Sequence, residues 1–345
     1  MTSLKATTGT QPLDISAVRS ALEQLGELEP TQELEVRLLA GGRSNLTFEL
    51  SSPVRRWILR RPPLGHRLDT AHDMSREVAV QRGLAAGPVP VPRIVFADAD
   101  ADHAGGSYYV MDKIEGTVLR TDADFASVDP GQRRELAHAY IDCLAALHNC
   151  DPAALGLGEF GRPAGFLDRQ VRRWSRQLAA SKSRELPELE DLGLRLAAQV
   201  PGDSRAAIVH GDFRFDNMIV TLEQRPAIAG VLDWEMSTLG DPLTDLGLVA
   251  LFWSGWEGID NPIAGTPSTH PGYPELDELV DRYAAATGAS TAQLRWYSAF
   301  AFYKMAVILE GIHVRHLRGE TVGAGFDAIG SMVEPLARRG CTTLT

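Results

Sequence analysis

Residues 209–220 constrain this chain most, because they set polar residues in a short turn between two apolar segments. Asp212 is followed five positions later by Asn217, and Asp233 comes sixteen positions after that, at the end of the apolar run 228–232. In phosphoryl transfer, one carboxylate holds the attacking hydroxyl, while an amide oxygen and a second carboxylate bind Mg²⁺. The spacing therefore predicts Asp212 as the base and Asn217 and Asp233 as metal ligands.

Length and charge narrow the class of protein. A chain of 345 residues with 44% apolar residues can bury a large core, and its length suggests two domains or lobes. The formal net charge of −11 argues against non-specific nucleic-acid binding, which depends on clustered positive charge. We therefore expect no nucleic-acid partner. The sequence does not indicate an oligomeric state.

Cysteine usage and apolar runs indicate the compartment. Cys143 and Cys150 lie seven positions apart in a predicted helix, too far apart to form a disulfide. Residues 1–11 lack the apolar core of a secretory signal. The longest apolar run, 299–309, is interrupted by Lys304 and is too short to span a bilayer. We expect a cytoplasmic protein with no membrane partner.

The first third of the chain is predicted to be rich in β-strands, after a tail at residues 1–13. Alternating and apolar segments predict five strands, at residues 34–39, 46–50, 57–61, 91–97 and 107–111. The turn between the first two strands contains glycine and polar residues whose backbone N–H groups could approach phosphates. A plain hairpin turn is the simpler interpretation. The candidates are Gly41, Gly42, Ser44 and Asn45.

Two further features of this region bear on nucleotide binding. Arg60 lies in the third predicted strand, and Glu77 lies in a helix that begins near residue 73. A strand cation paired with a helix carboxylate would orient the cation on ATP phosphates, but from position alone two surface charges are the simpler interpretation. Val110, Met111 and Lys113 mark the change from apolar strand to polar segment. Their main-chain N–H and C=O groups could form hydrogen bonds with the edge of an adenine ring.

The rest of the chain is predicted to be mainly helical. Residues 133–150 have helical periodicity, and His148 at their end is expected to cap the helix. Residues 166–180 form a helix whose apolar stripe includes Trp174. The opposite face is a row of arginines, which is either a solvated surface or the binding site of a polyanionic substrate. The candidate substrate residues are Arg169, Arg173, Trp174 and Arg176.

Two residues near the central turn have expected supporting roles. His210 is expected to brace the turn by hydrogen bonding, without transferring protons. Asp245, which follows in a predicted helix, could accept a hydrogen bond from the same turn.

These pieces together resemble a known family. His210-Gly211-Asp212, then Asn217, Asp233 and the tripeptide 240–242 are similar to the aminoglycoside phosphotransferase and choline kinase family. Segments 41–47, 59–63, 232–235, 237–242 and 302–311 resemble its kinase-like domains associated with acyl-CoA dehydrogenases. The resemblance implies an α+β, bilobal protein-kinase-like fold with a small β-rich N-lobe at residues 14–112. The larger, mainly helical C-lobe would take residues 113–345.

The resemblance also implies roles for residues. Asp212 matches the family base, Asn217 and Asp233 its Mg²⁺ ligands, and Glu77 its helix acid. Arg60 stands where the wider family has an ATP-binding lysine, which is a departure because arginine can contact phosphate through two N–H groups. The backbone at 110–113 matches the adenine-binding hinge. ATP and Mg²⁺ are the implied cofactors.

Three functions remain open. The first is an ATP- and Mg²⁺-dependent small-molecule kinase that phosphorylates a hydroxyl of an anionic metabolite, such as a hydroxyacyl-CoA, or alternatively of an aminoglycoside-type antibiotic. Antibiotic kinases are expected to offer carboxylates to polycations, so the arginine row disfavours the antibiotic. The second is a catalytically weak nucleotide-binding scaffold or sensor, suggested by Arg60. The third, a metal-dependent phosphoesterase, lacks further His and Asp ligands at useful spacing.

Overall fold

The computed structural model describes residues 14–39, 45–62, 74–98, 107–202, 204–261, 263–321 and 325–345. These residues belong to two compact units. The first contains the described residues up to Ala86 together with Pro90–Glu115 and Asp233–Glu235. The second contains Gly87–Val89, Gly116–Leu232 and Met236–Thr345. The lobe boundary expected between residues 112 and 113 stays a prediction.

The first unit is built on an antiparallel sheet with strand order β1-β2-β3-β5-β4. Its strands are β1 (Glu35–Leu39), β2 (Leu46–Ser51), β3 (Arg56–Arg61), β4 (Ile94–Asp98) and β5 (Tyr108–Asp112). The described part of this unit also contains two helices, α1 (Ile15–Gln24) and α2 (Met74–Leu84). All five predicted strands are therefore present. Strand β4 begins later than expected because Pro90 and Pro92 cannot donate ladder hydrogen bonds.

Side-chain alternation divides the sheet into two faces. Trp57 and Leu59 of β3 pack with Val110 in the core that α1 covers. On the opposite face, Tyr109 and Met111 of β5 pack with residues of α2. Because successive strand residues point to opposite faces, Arg60 points to the α2 side, where it is paired across the ladder with Tyr109.

The second unit is mainly helical. Its helices are α3 (Asp122–Ser127), α4 (Arg133–Asn149), α5 (Phe166–Ser181), α6 (Pro187–Ala198), α7 (Leu243–Ala250), α8 (Leu276–Thr287), α9 (Leu294–Leu317) and α10 (Ile329–Leu344). Its strands are β6 (Ala207–Val209), β7 (Met218–Thr221), β8 (Ala227–Val231) and β9 (Thr238–Gly240). Strand β6 pairs with β9, and β7 pairs with β8. Across the described residues, no helix has both the length and the apolar character of a membrane span.

The burial pattern of helix α5 follows from the spacing of its apolar residues. Leu167, Val171, Trp174 and Leu178 are buried, as their spacing of three and four residues predicts for one face of a helix. This face packs on α9, and Oγ of Ser175 in α5 lies 3.2 Å from the hydroxyl oxygen of Tyr303 in α9. The arginines of α5 lie on its exposed side.

Candidate active site

The turn between β6 and β7 is fixed by Asp245 of α7. Its Oδ2 accepts the His210 N–H at 2.7 Å, and its Oδ1 accepts the Gly211 N–H at 2.8 Å. One carboxylate thus satisfies two successive main-chain donors in a buried turn. The expected hydrogen bond from this turn to Asp245 is confirmed.

His210 links the turn to the end of β8. Its Nδ1 accepts the Asp212 N–H at 3.2 Å, so Nε2 carries the proton and donates to the Leu232 main-chain oxygen at 2.9 Å. The imidazole is buried. The expected bracing role of His210 is confirmed.

His148 does not cap α4, so that prediction is wrong. The side chain is fully buried, with Nδ1 2.7 Å from the Tyr283 hydroxyl and Nε2 3.3 Å from Oδ2 of Asp245. Burial alone would raise the pKa of Asp245, but the hydrogen bond and charge of His148, with smaller contributions from His210 and Gly211, lower it. His148 therefore supports the turn through Asp245, which sequence position could not show.

Gly211 occupies a conformation that its neighbours require. Its φ of 85° lies in the left-handed region, and a Cβ there would lie 2.8 Å from the Met236 main-chain oxygen. Its own carbonyl oxygen accepts a hydrogen bond from Nζ of Lys304 at 2.6 Å. The sequence had shown Lys304 only as an interruption of an apolar run. That interruption was the available signal that this lysine contacts a polar group.

Asp212 and Asn217 are held together. The Asn217 Nδ2 donates to Oδ2 of Asp212 at 2.8 Å and to its main-chain oxygen at 2.9 Å. Asn217 also accepts the Leu232 N–H at its main-chain oxygen, at 2.8 Å, which joins the turn to β8. Because both amide hydrogen bonds come from Nδ2, the Oδ1 atom of Asn217 is the one suited to bind a cation.

Asp233 follows β8 with a φ of 65°, which is unusual for a residue other than glycine and is tolerated best by Asp and Asn. Its Oδ1 lies 3.0 Å from Nη2 of Arg60. The Asp233 side chain remains 31% exposed, so the carboxylate is accessible to an ion from solvent.

Arg60 and Glu77 are not surface charges, so the simpler interpretation is wrong. Nη1 of Arg60 lies 3.0 Å from Oε2 of Glu77, and both residues are buried. The Tyr109 hydroxyl donates to the same Oε2 atom at 2.8 Å. The pair forms because strand alternation places Arg60 opposite the buried face of α2. Burial raises the pKa of Glu77, although Arg60 opposes this shift.

Arg60 therefore bridges two carboxylates. Burial disfavours its charge, but Tyr109, Glu77 and Asp233 raise the pKa of its guanidinium above the ordinary arginine value. Asn45 extends the cluster, since its Nδ2 lies 3.3 Å from Glu77 and 3.5 Å from Glu235. Three of the predicted nucleotide residues, Asn45, Arg60 and Glu77, are brought together here.

The other predicted nucleotide residues differ in placement. Gly41, Gly42 and Ser44 lie outside the described residues. Val110 and Met111 lie within β5, between β3 and β4, so their main-chain groups belong to the sheet ladders. Lys113 follows the strand, and its Nζ lies 2.9 Å from Oε1 of Glu49. The adenine contacts expected for Val110, Met111 and Lys113 stay a prediction.

Two of the predicted substrate arginines are held by main-chain oxygens. Arg169 donates to the carbonyls of Arg162 and Ala164, just before α5. The Arg176 Nε donates to the carbonyl of Arg172 at 3.4 Å. These contacts stabilise the segment itself. The substrate role expected for Arg169 and Arg176 stays a prediction.

Arg173 and Trp174, on the same helix, have different neighbours. The Arg173 guanidinium carbon is 5.4 Å from the centroid of the buried Trp174 ring, and Nζ of Lys304 is 5.6 Å from the same ring. Lys304 also contacts Gly211, next to Asp212. Of the four predicted substrate residues, Arg173 and Trp174 are therefore the two that are linked to the turn through Lys304.

Each of the two residues suggested for Mg²⁺ offers a donor atom of the kind that this ion prefers. Oδ1 of Asn217 and the carboxylate of Asp233 are hard oxygen donors, the type that Mg²⁺ prefers. The amide of Asn217 is oriented by its two Nδ2 bonds, and Asp233 has an exposed carboxylate.

Comparisons with known proteins place the chain in context. The model of the phosphotransferase enzyme family matches residues 35–297. Acyl-CoA dehydrogenase family member 11 of Gallus gallus is 35% identical over 318 residues, which cover 90% of this chain and 40% of the relative. The chain therefore spans about two fifths of the length of this curated relative.

Solved structures give the same picture. A protein of Ralstonia eutropha JMP134, provisionally named an aminoglycoside phosphotransferase, is 29% identical with a TM-score of 0.82, over 96% of this chain and 98% of its own. The GDP complex of aminoglycoside 2'-phosphotransferase-IIIa has a TM-score of 0.63 at 15% identity, over 96% and 99% of the two chains. The second likeness shows a shared fold.

Proposed function

Because this chain belongs to the phosphotransferase enzyme family, we propose that it is a small-molecule kinase that transfers the γ-phosphoryl group of ATP to a hydroxyl group. The observation that carries the proposal is the Asn217 amide, which fixes one oxygen of the Asp212 carboxylate at 2.8 Å. A fixed carboxylate positions an incoming hydroxyl, and positioning is the main catalytic effect in phosphoryl transfer.

The reaction assigns one role to Asp212. The acceptor hydroxyl oxygen forms a bond to the γ-phosphorus, and the bond from that phosphorus to the bridging oxygen of ATP breaks. ADP leaves with the electron pair, and the hydroxyl proton passes to Asp212. Asp245, His148 and His210 position Asp212 by fixing the main chain of the turn.

Nucleotide and metal are assigned to separate groups. Arg60, oriented by Glu77, would contact the phosphates, and the backbone of Gly41, Gly42, Ser44 and Asn45 would surround them. Asn217 and Asp233 would hold Mg²⁺, which neutralises charge on the phosphates when bound. The adenine edge would be read by the backbone around Lys113. The GDP complex of a fold neighbour supports nucleotide use.

We extend the proposal to domains and compartment. After a tail at residues 1–13, residues 14–112 would bind the nucleotide. Residues 113–345 would bind the acceptor. The cysteines that the structure describes as free are compatible with a reducing cytoplasm.

The acceptor is proposed to be an anionic metabolite, with a hydroxyacyl-CoA as the first candidate. The similarity to an acyl-CoA dehydrogenase family member supports this choice, because the acyl-CoA class appears in that relative's name. The cations Arg173 and Lys304 near the turn also favour an anion over a polycationic antibiotic.

The test is a transfer assay. The protein is incubated with ATP, Mg²⁺ and 4-hydroxyvaleryl-CoA, and the acceptor is analysed for added phosphate by mass spectrometry. Asp212→Asn should reduce product formation by about a hundredfold or more. Asp216→Asn is the matched control, because Asp216 is on the same turn but is paired with Arg214. Turnover that survives Asp212→Asn would show that the base is misassigned.

A nucleotide-binding scaffold is the second candidate, favoured by the ion pair between Arg60 and Asp233. This pair places a fixed cation on a proposed Mg²⁺ ligand. ATP binding by calorimetry, with no phosphate transfer to any acceptor in a panel of hydroxylated metabolites that includes an aminoglycoside, would favour the scaffold over the kinase.

A further inference from the structure

Lys304 is a buried cation beside the proposed base. It lies in α9 within a stretch that is buried on most sides, and its Nζ donates to the Gly211 oxygen at 2.6 Å. An ammonium group has three N–H donors, and this contact uses one of them. Burial lowers the pKa of Lys304, and the charge of Asp212 opposes that shift.

A second cation, Arg173, shares the Trp174 ring with Lys304. The ring lies 5.6 Å from Nζ of Lys304 and 5.4 Å from the guanidinium carbon of Arg173, within the range of cation–π contact. The indole Nε1–H is buried and has no hydrogen-bond partner among the residues that the structure describes. A buried donor without an acceptor requires an explanation, and a ligand oxygen nearby would be one.

Neighbouring cations of this region are neutralised by partners. Lys182 is paired with Glu190, and Arg184 is paired with the buried Glu310. Within the described residues, Lys304 and Arg173 form no ion pair with a carboxylate at salt-bridge distance, although Asp212 acts on Lys304 at longer range. Two cations on one ring, of which Lys304 contacts the residue before the proposed base, leave positive charge available to a ligand.

We propose that Lys304 and Arg173, held on the Trp174 ring, form an anion subsite beside Asp212, and that the acceptor is a small hydroxy acid with its carboxylate a few bonds from the reacting hydroxyl. This inference rests on the proposed kinase function and, among the anionic acceptors considered there, favours a free hydroxy acid over a hydroxyacyl-CoA. The carboxylate binds the two cations, which brings the hydroxyl to Asp212. A thioester or amide has a carbonyl oxygen at the same position but no charge, so it binds more weakly.

The test is a binding measurement on the full chain without nucleotide. Saturation-transfer NMR gives dissociation constants for 4-hydroxybutyrate, for the neutral 4-hydroxybutyramide and for 4-hydroxybutyryl-CoA. The wild-type protein should bind the carboxylate more tightly than the amide. Lys304→Met and Arg173→Met should each weaken carboxylate binding about tenfold and leave amide binding within about twofold, because only the charged contact is lost.

Arg172→Met is the matched control, because Arg172 is exposed on the same helix and should leave both constants unchanged. Arg173→Met removes an exposed side chain, so it tests the subsite even where Lys304→Met weakens folding. Equal binding of carboxylate and amide by the wild-type protein, binding of neither, or tighter binding of the CoA thioester than of the carboxylate would overturn the subsite.

The two proposals fail separately. Phosphate transfer that requires Asp212 but shows no preference for a carboxylate would refute the subsite and leave the kinase intact. Carboxylate binding that depends on Lys304 and Arg173, without any phosphorylated product, would retain the subsite and refute the kinase.

Discussion

Nη2 of Arg60 lies 3.0 Å from Oδ1 of Asp233, while Nη1 of the same guanidinium lies 3.0 Å from Oε2 of Glu77. A lysine at this position would have a single ammonium and no planar fork with which to hold two carboxylates in fixed directions. The arginine therefore determines the geometry of this cluster before any nucleotide binds.

Replacing Arg60 should strongly destabilise the protein. Arg60→Met leaves Glu77 buried without its cation, and we expect a loss of about 3 kcal/mol in the free energy of unfolding. Urea denaturation measures the loss. The double variant Arg60→Met with Glu77→Gln should recover a substantial part of it. Arg56→Met, at an exposed position on the same strand, is the control and should change stability little. An equal loss in both arginine variants would contradict the bridging role.

Gly211 should not tolerate a side chain. Gly211→Ala places a Cβ 2.8 Å from the Met236 oxygen at a φ of 85°, and we expect a loss of at least about 2 kcal/mol in unfolding free energy. Phosphate transfer should fall as well, since Asp212 is the next residue. Gly158→Ala is the matched control, because a Cβ there meets only ordinary contacts of 3.8 Å and longer. Unchanged stability of Gly211→Ala would show that the turn can relax.

Asp245 should contribute stability that acid removes. Its folded pKa is below the ordinary value of 3.8, so the native state binds this proton less tightly than the unfolded chain does. The stabilisation is present above about pH 3.8 and is lost as the pH falls through the lower folded value. We expect Asp245→Asn to be less stable than the wild type by about 2 kcal/mol near pH 6, and the gap to narrow below pH 3.8. A gap that does not vary with pH would exclude this assignment.

Lys304 should also make stability rise with pH, but in the alkaline range. Because burial lowers its folded pKa, the unfolded chain binds this proton more tightly between that value and the ordinary lysine pKa of 10.5. The unfolding free energy of the wild type should therefore rise, relative to Lys304→Met, as the pH increases towards 10.5. Chemical denaturation of both proteins at a series of alkaline pH values measures the difference. A constant difference would mean that Lys304 is not desolvated.

The sequence by itself determined the local structure and the order of the candidate site residues along the chain. Period-two strands and the apolar stripe of α5 were sufficient to predict the strands and the buried face of that helix, and the resemblance carried by the motif of Asp212, Asn217 and Asp233 implied the protein-kinase-like fold. These signals are local or are carried by a motif, and short-range backbone and side-chain rules govern them. For the same reason, the expected hydrogen bonds of His210 and Asp245 were confirmed.

Only the tertiary structure decided which groups lie next to each polar side chain. It buried Arg60 against Glu77, directed His148 to Asp245 instead of a helix end, and used Arg169 for nearby carbonyls. It also brought Lys304 to Gly211, 93 positions away along the chain. Periodicity shows that a residue lies on a given face, but burial and partner depend on what packs against that face. Charge is governed by the same environment, so the function of a buried lysine or arginine follows from its neighbours.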